Sequence, residues 1–216
     1  MVAQFRPQLT GLISRWGEAG ASDTRLLAIT RIFRMTRVLA RMLDETEFLS
    51  PYGLRSISRV YRDQPYVFDC GNFRGEVKYT PAESDVGLFG GNSNWRGPIW
   101  MPINYLMVES LRKFGAYYGD GLRVECPTGS GRKLTLGEVA DEVSHRLTRI
   151  FLRDENGRRP VFGACEKMQT DPHFKDYVLF YEYFDGDNGR GTGASHQTGW
   201  TGLIANLIDE MNPPEQ

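Results

Sequence analysis

Between residues 24 and 45 the apolar positions Leu26, Ile29, Ile32, Phe33, Val38, Leu39, Met42 and Leu43 recur at near-helical spacing. That spacing predicts an amphipathic helix, because residues three and four apart share one helix face. Arg25, Arg31, Arg34, Arg37 and Arg41 fall largely off that face, and we read them as a solvated or salt-bridged surface in preference to an anion patch. A second helical pattern runs from about residue 99 to 117, with Pro98 expected in its first turn, where a missing N–H costs nothing. The third begins at Thr135-Leu136-Gly137-Glu138, the Thr-x-x-Glu pattern of a capping box, and continues through Val139, Val143, Leu147, Ile150 and Phe151 to about residue 152. A last short helix is expected over residues 200–211, ahead of Pro213-Pro214. The first 23 residues, with Gly17 and Gly20, read as a short helix running into a loop.

The texture between these helices is different. From residue 48 to 94, Pro51, Gly53, Pro65, Gly71, Gly75, Pro81, Gly87, Gly90 and Gly91 punctuate short segments such as Glu76-Val77-Lys78-Tyr79, which can only be brief strands. Connections this long in a compact domain usually serve a site, so the segment is expected to shape a pocket. Glu83 and Asp85 are candidate polar groups for it, and a capped turn explains them equally well. Helices separated by long Gly-rich and aromatic-rich loops suit a mainly α, toroidal architecture whose loops line a central pocket at one end.

Bulk properties narrow the chemistry. With 216 residues the chain is one domain's worth. Lys and Arg number 26 against 27 Asp and Glu, a formal charge of −1, so no global field draws nucleic acid or an anionic membrane. Cys70, Cys126 and Cys165 are odd in number and widely spaced, which argues against a disulfide framework or a zinc site and for a reducing, cytoplasmic compartment. No apolar run approaches the roughly 20 residues that span a bilayer, and residues 1–15 lack the apolar core of a signal peptide. His145, within a helix beside charged neighbours, reads as surface, His173 lacks a second metal-type ligand at useful spacing, and no metal or cofactor is expected.

Candidate chemistry concentrates late in the chain. Glu182 sits in Leu179-Phe180-Tyr181-Glu182-Tyr183-Phe184, where burial of a carboxylate is costly unless the charge is paired or used. An edge strand carrying one solvated Glu is the alternative. The Gly-rich loop that follows ends in Gln197 and Trp200, a pairing suited to a ring-shaped polar ligand. Earlier, Asn94-Trp95-Arg96-Gly97-Pro98-Ile99-Trp100 places two indoles about a Gly-Pro helix start, where they are expected to flank the helix mouth. Flat apolar faces beside Asn and Arg donors suit a sugar, though a Trp pair is also common in cores.

These three stretches, with Asn104-Tyr105-Leu106 and Gln197-Thr198-Gly199-Trp200-Thr201, resemble the catalytic-domain motifs of glycoside hydrolase family 63. The likeness extends from about Leu43 onward. It implies an (α/α)6 barrel and inversion at an α-linked glucosyl or mannosyl bond, with an oligosaccharide or small glycoside as partner. It also implies Glu182 as the general base, Trp95 and Trp100 as aromatic walls around the cleaved sugar, and Gln197 as a hydrogen-bonding residue near the base. Arg96 and Trp200 follow as neighbours. The family's proton donor is an aspartate in the earlier half of the barrel, and nothing before Leu43 resembles that region. The expectation is therefore a single domain over residues 1–216 that forms the C-terminal half of a barrel, truncated at its N-terminus and inactive alone. Asp44, Asp69, Asp85 and Asp185 are possible substitute acids, and a non-catalytic carbohydrate-binding fragment is the alternative function.

Overall fold

A computed structural model describes residues 13–14, 26–28, 30–87 and 94–212. The first helical pattern yields α1, Ile32–Met42, which starts later than the spacing predicts. Strand β1, Ile13–Ser14, pairs antiparallel with β2, Leu26–Leu27, and Arg31 is extended at φ −74°, ψ 155°. Backbone groups committed to a neighbouring strand cannot also enter a helix. The other residues of the expected N-terminal helix lie outside those described.

Two small hairpins follow: β3, Leu49–Ser50, with β4, Gly53–Leu54, then β5, Tyr66–Asp69, with β6, Arg74–Val77. Helix α2 is Met101–Tyr118, with Trp100 as its N-cap and Pro102, not Pro98, in the first turn. The reason is that Ile99 is an extended residue, bonded through both its N–H and its C=O to Phe184, so no helix begins before it. A hairpin of β7, Arg123–Glu125, and β8, Lys133–Thr135, leads into α3, Leu136–Arg149. Both halves of the predicted capping box form at Thr135 and Glu138. Short α4, Glu166–Thr170, precedes β9, Tyr183–Phe184, which pairs with β10, Gly191–Thr192. The expected final helix is two, α5, Thr198–Thr201, and α6, Leu203–Met211. The described chain is mainly helical with short two-stranded sheets.

The core lies where α2, α3 and α6 pack on one another. Met101, Val108, Leu136, Val139, Val143, Leu147 and Leu207 are almost wholly enclosed there, and a fully buried Leu or Val contributes roughly 1.5–3 kcal/mol. Two buried polar side chains tie this body to the loops. Asn104 Oδ1 accepts from Leu54 N at 2.7 Å and its Nδ2 donates to the Leu54 and Trp100 carbonyls at 3.0 Å each, standing in for a missing strand partner. Arg146 donates to Glu142 and Glu45 at 2.8 Å and to the Ser50 carbonyl at 3.0 Å, which holds the β3–β4 turn on α3. Among the described residues no helix is long and apolar enough to cross a membrane.

Asn104→Ala leaves the buried Leu54 amide without its acceptor. It is expected to lower unfolding free energy by about 1–3 kcal/mol, read from the urea midpoint at unchanged m-value.

Candidate active site

The site is built on a three-segment crossing. Ile99 pairs antiparallel with Phe184, N to O at 2.8 and 2.9 Å in the two directions, and bridges to Arg55 on its other side. The pairing sets the next residues of both segments face to face. Trp100 stacks on Tyr183 with ring centroids 4.8 Å apart and meets the edge of Trp200 at 6.2 Å. Trp95 then lies parallel over Trp100, centroids 3.8 Å apart and planes 2° from coplanar. The two indoles therefore do not flank the helix mouth but form one stack. Trp100, 2% exposed, is its buried floor, with its indole N–H given to the Asn94 carbonyl at 2.9 Å. Trp95 and Trp200, 40% and 36% exposed, present the accessible aromatic surface.

Glu182 is half-buried and stands immediately before β9. Its Oε2 faces the Ala194 amide, which donates at 3.4 Å. Gly193, at φ +74°, makes this fit possible: a Cβ there would stand 2.7 Å from Glu182 Oε2 and 2.9 Å from the Tyr183 ring. Burial, then the charges of Glu182 and Glu83, push the Tyr183 phenol up, against an opposing pull from Arg190. Gln197 reaches the same place through its backbone, with its N–H given to the Phe180 carbonyl at 2.8 Å. His196 bridges to Phe180, and Thr201 Oγ1 donates to the Tyr181 carbonyl. The Glu182 stretch is thus clasped by the start of α5.

Arg96 is buried, and its guanidinium is engaged by protein groups. Its Nη2 donates to Ser84 Oγ at 2.8 Å and Asp85 Oδ1 at 3.1 Å, while Asn94 holds the Thr80 and Ala82 carbonyls. Together they tie residues 80–85 to the segment that carries Trp95. The remaining carboxylates are engaged locally. Asp44 accepts from Thr46, Asp69 from Gly71, and Asp185 from Asp187 and Asn188, each in a turn. Arg190 Nη2 donates to both carboxylate oxygens of Glu83, at 2.9 and 3.1 Å. Burial there works against ionisation, yet the Arg190 guanidinium prevails and holds the carboxyl below its ordinary value.

Spacing gave no sign of a further knot of side chains. Tyr79 donates to Asp187 Oδ1 at 2.9 Å and accepts from Arg55 Nε at 3.1 Å. Arg55 also approaches Asp187 at 3.5 Å, while Arg62 pairs with Asp187 and lies over the Tyr79 ring at 4.9 Å. Burial drives the Tyr79 hydroxyl far upward; the Arg55 charge opposes this and Asp187 adds to it. The only sequence signal was Asp187's place in the Gly-rich loop.

Gly193→Ala should destabilise the fold by at least about 1–2 kcal/mol in urea titration, the cost of a Cβ in a left-handed conformation, with the clash against Glu182 and Tyr183 adding to it. Asp85 is held below its ordinary value of 3.8 chiefly by its hydrogen bond to Lys78, against slight burial and aided by the Lys78 and Arg96 charges. Its folded value lies below its unfolded one, so its contribution is complete above the unfolded value and fades as pH falls through the folded one. Asp85→Asn should accordingly narrow the gap in urea midpoint between about pH 5 and pH 2.

Residues 30–201 match the family model for the mannosylglycerate hydrolase MGH1-like glycoside hydrolase domain. An uncharacterized protein of Saccharomyces cerevisiae is 50% identical over 92% of this chain and 18% of its own length. Mannosyl-oligosaccharide glucosidase of the same yeast is 27% identical over 81% of the chain, and the probable mannosyl-oligosaccharide glucosidase of Schizosaccharomyces pombe 28% over 82%. In each of these two glucosidases the match covers 15% of the relative, so the chain spans less than a fifth of the length of the curated relatives it matches. The resemblance to glycoside hydrolase family 63 is borne out, and the chain belongs to the MGH1-like glycoside hydrolase domain family.

Proposed function

We propose that this chain carries the water-activating side of an inverting glycosidase site for α-linked glucosyl or mannosyl units. The observation behind this reading is the crossing of Ile99 with Phe184, which sets Glu182 one residue from a ring stacked beneath the Trp100–Trp95 pair. In this reading the pyranose lies on the exposed face of Trp95 with Trp200 beside it, and its C–H face replaces water on the indole. Trp100 backs the platform from below. Glu182 takes a proton from a water poised at the anomeric carbon, with the Ala194 amide donating to its Oε2. Gln197 acts beside the base, and Arg96 ties the segment that carries Trp95 to Asp85.

Inversion needs a second, protonated carboxyl about 6.5–9.5 Å from the base to give the leaving oxygen its proton. Asp44, Asp69, Asp85 and Asp185 are each occupied in turns or ion pairs, which favours an acid from elsewhere. We therefore take the described helices as half of an (α/α)6 barrel and the acid as a residue of the other half. The free thiols of Cys70, Cys126 and Cys165 support a reducing, cytoplasmic setting.

The test uses the chain alone and together with the N-terminal barrel region of a relative. Aryl α-glucoside and α-mannoside are the substrates, and NMR reads the anomer first released. The combined sample should yield the inverted anomer, and Glu182→Gln should cut turnover about 10²–10⁴-fold while leaving sugar binding intact. Trp95→Ala should weaken binding without altering the released anomer. Turnover indifferent to Glu182→Gln, or a retained anomer, defeats the proposal. Saccharide binding without turnover in every combination would favour a non-catalytic carbohydrate-binding role.

A further inference from the structure

Glu182 and Asp187 lie on opposite sides of Phe184, one before β9 and the other in the turn between β9 and β10. The bonds of Phe184 to Ile99 fix which residues meet, but they act at one residue and leave the pitch of the hairpin to be set elsewhere. Its turn is stiff. Asp185 accepts from the Asp187 amide at 2.8 Å and from Asn188 Nδ2 at 3.0 Å, and the Gly189 amide gives to the Asp185 carbonyl at 3.0 Å. A tie made at Asp187 is therefore passed on to the strands. The neighbouring Gly186 amide is tied as well, to the Pro81 carbonyl at 2.9 Å.

Tyr79 is buried between the two halves of the site and touches each with a different part of itself. Its ring packs on the indole segment, where a Cβ on Gly97 would stand 2.8 Å from Cε2 and 2.9 Å from Cδ2. Its hydroxyl packs on the hairpin: a Cβ on Gly186 would stand 2.7 Å from Oη, and Oη donates to Asp187 Oδ1 at 2.9 Å. Arg55 steadies that hydroxyl, with Nε donating to it at 3.1 Å. Arg55 is itself anchored, giving Nη1 to the Leu49 carbonyl at 2.7 Å and bridging through its backbone to Ile99. The ring thus belongs to the Trp95–Trp100 side and the hydroxyl to the Glu182 side, and one buried residue spans both.

We propose that Tyr79 is a positioning residue for Glu182: its hydroxyl holds the Asp187 end of the hairpin and so sets the carboxylate against the Trp95–Trp100 platform. This role rests on the glycosidase reading. Tyr79→Phe keeps the ring on Gly97 and gives up the hydroxyl, which separates the two duties. Tryptophan fluorescence of the whole chain follows two kinds of ligand. The methyl α-glycosides of glucose and mannose are neutral and need the platform; deoxynojirimycin and deoxymannojirimycin carry an ammonium that also needs the carboxylate. The unsubstituted chain should favour the iminosugar of the sugar it binds, and Glu182→Gln should erase that advantage. In Tyr79→Phe the advantage should shrink at least about 5-fold, while glycoside affinity stays within about 2-fold. Asp187→Ala should do the same, and the double variant should do no more than either alone, because both cut one link. Glu138→Ala, which removes half of the α3 capping box, should lower the thermal midpoint and leave the advantage intact. Where turnover is restored as above, Tyr79→Phe should lower kcat about 10–100-fold at nearly constant KM. An unchanged advantage in Tyr79→Phe, additive losses in the double variant, or an equal loss in Glu138→Ala would overturn the proposal and leave the glycosidase reading standing. An advantage indifferent to Glu182→Gln, or no binding of any of the four ligands, would defeat that reading and this role with it.

Discussion

Two backbone hydrogen bonds between Ile99 and Phe184 hold the arrangement on which the rest depends. Each is worth only about 0.5–1.5 kcal/mol net, but their consequence is geometric. They fix the register of two segments that are distant in the chain, and a slip of one residue would turn every side chain to the opposite face. In the observed register Trp100 and Tyr183 meet, Trp95 has a floor to stack on, and Glu182 falls beside Gly193. The same extended residue delays the start of α2, so the helix begins on the aromatic stack and not before it.

The loops that carry this crossing are long and rich in glycine, and ordering them costs roughly 1–2 kcal/mol of backbone entropy per residue. The offset comes from side chains that gather several loops at once. Tyr79 is the chief of these: Arg55, Arg62 and Asp187 converge on it from three segments. Gly97, at φ +147°, passes so close that a Cβ would stand 2.6 Å from the Thr80 carbonyl. Around the aromatic stack, charges are met in pairs: Arg96 and Lys78 with Asp85, Arg190 with Glu83, Arg62 with Asp187. Arg96 is the deeply buried member of these pairs, and Asp85 meets its charge where water cannot.

The helical body plays the complementary part. Helices α2, α3 and α6 pack firmly on one another, and Arg146 and Asn104 reach from that body to the β3–β4 turn beside Arg55. On the other side α1 and α2 turn apolar surface outward, although α1 buries Met35, Leu39 and Met42.

Much of this was legible in residue order. The Thr135–Glu138 capping box and the α3 stripe follow from local bonding and 3.6-residue periodicity, and both form as read. Glu182 stood out because a carboxylate among aromatics has few neutral explanations, and the ordered motifs about Trp95, Glu182 and Gln197 pointed to the family. What residue order did not contain were decisions taken between distant segments. The first helix lost its leading residues because Leu26 and Leu27 pair with β1, and no helical period records a strand partner. The indoles stacked where flanking was expected because Phe184 captured Ile99. Arg55, Tyr79 and Asp187 were invisible because their meeting obeys no spacing rule. Local periodicity and capping chemistry are written in neighbouring residues, whereas register and burial exist only once the chain has closed on itself.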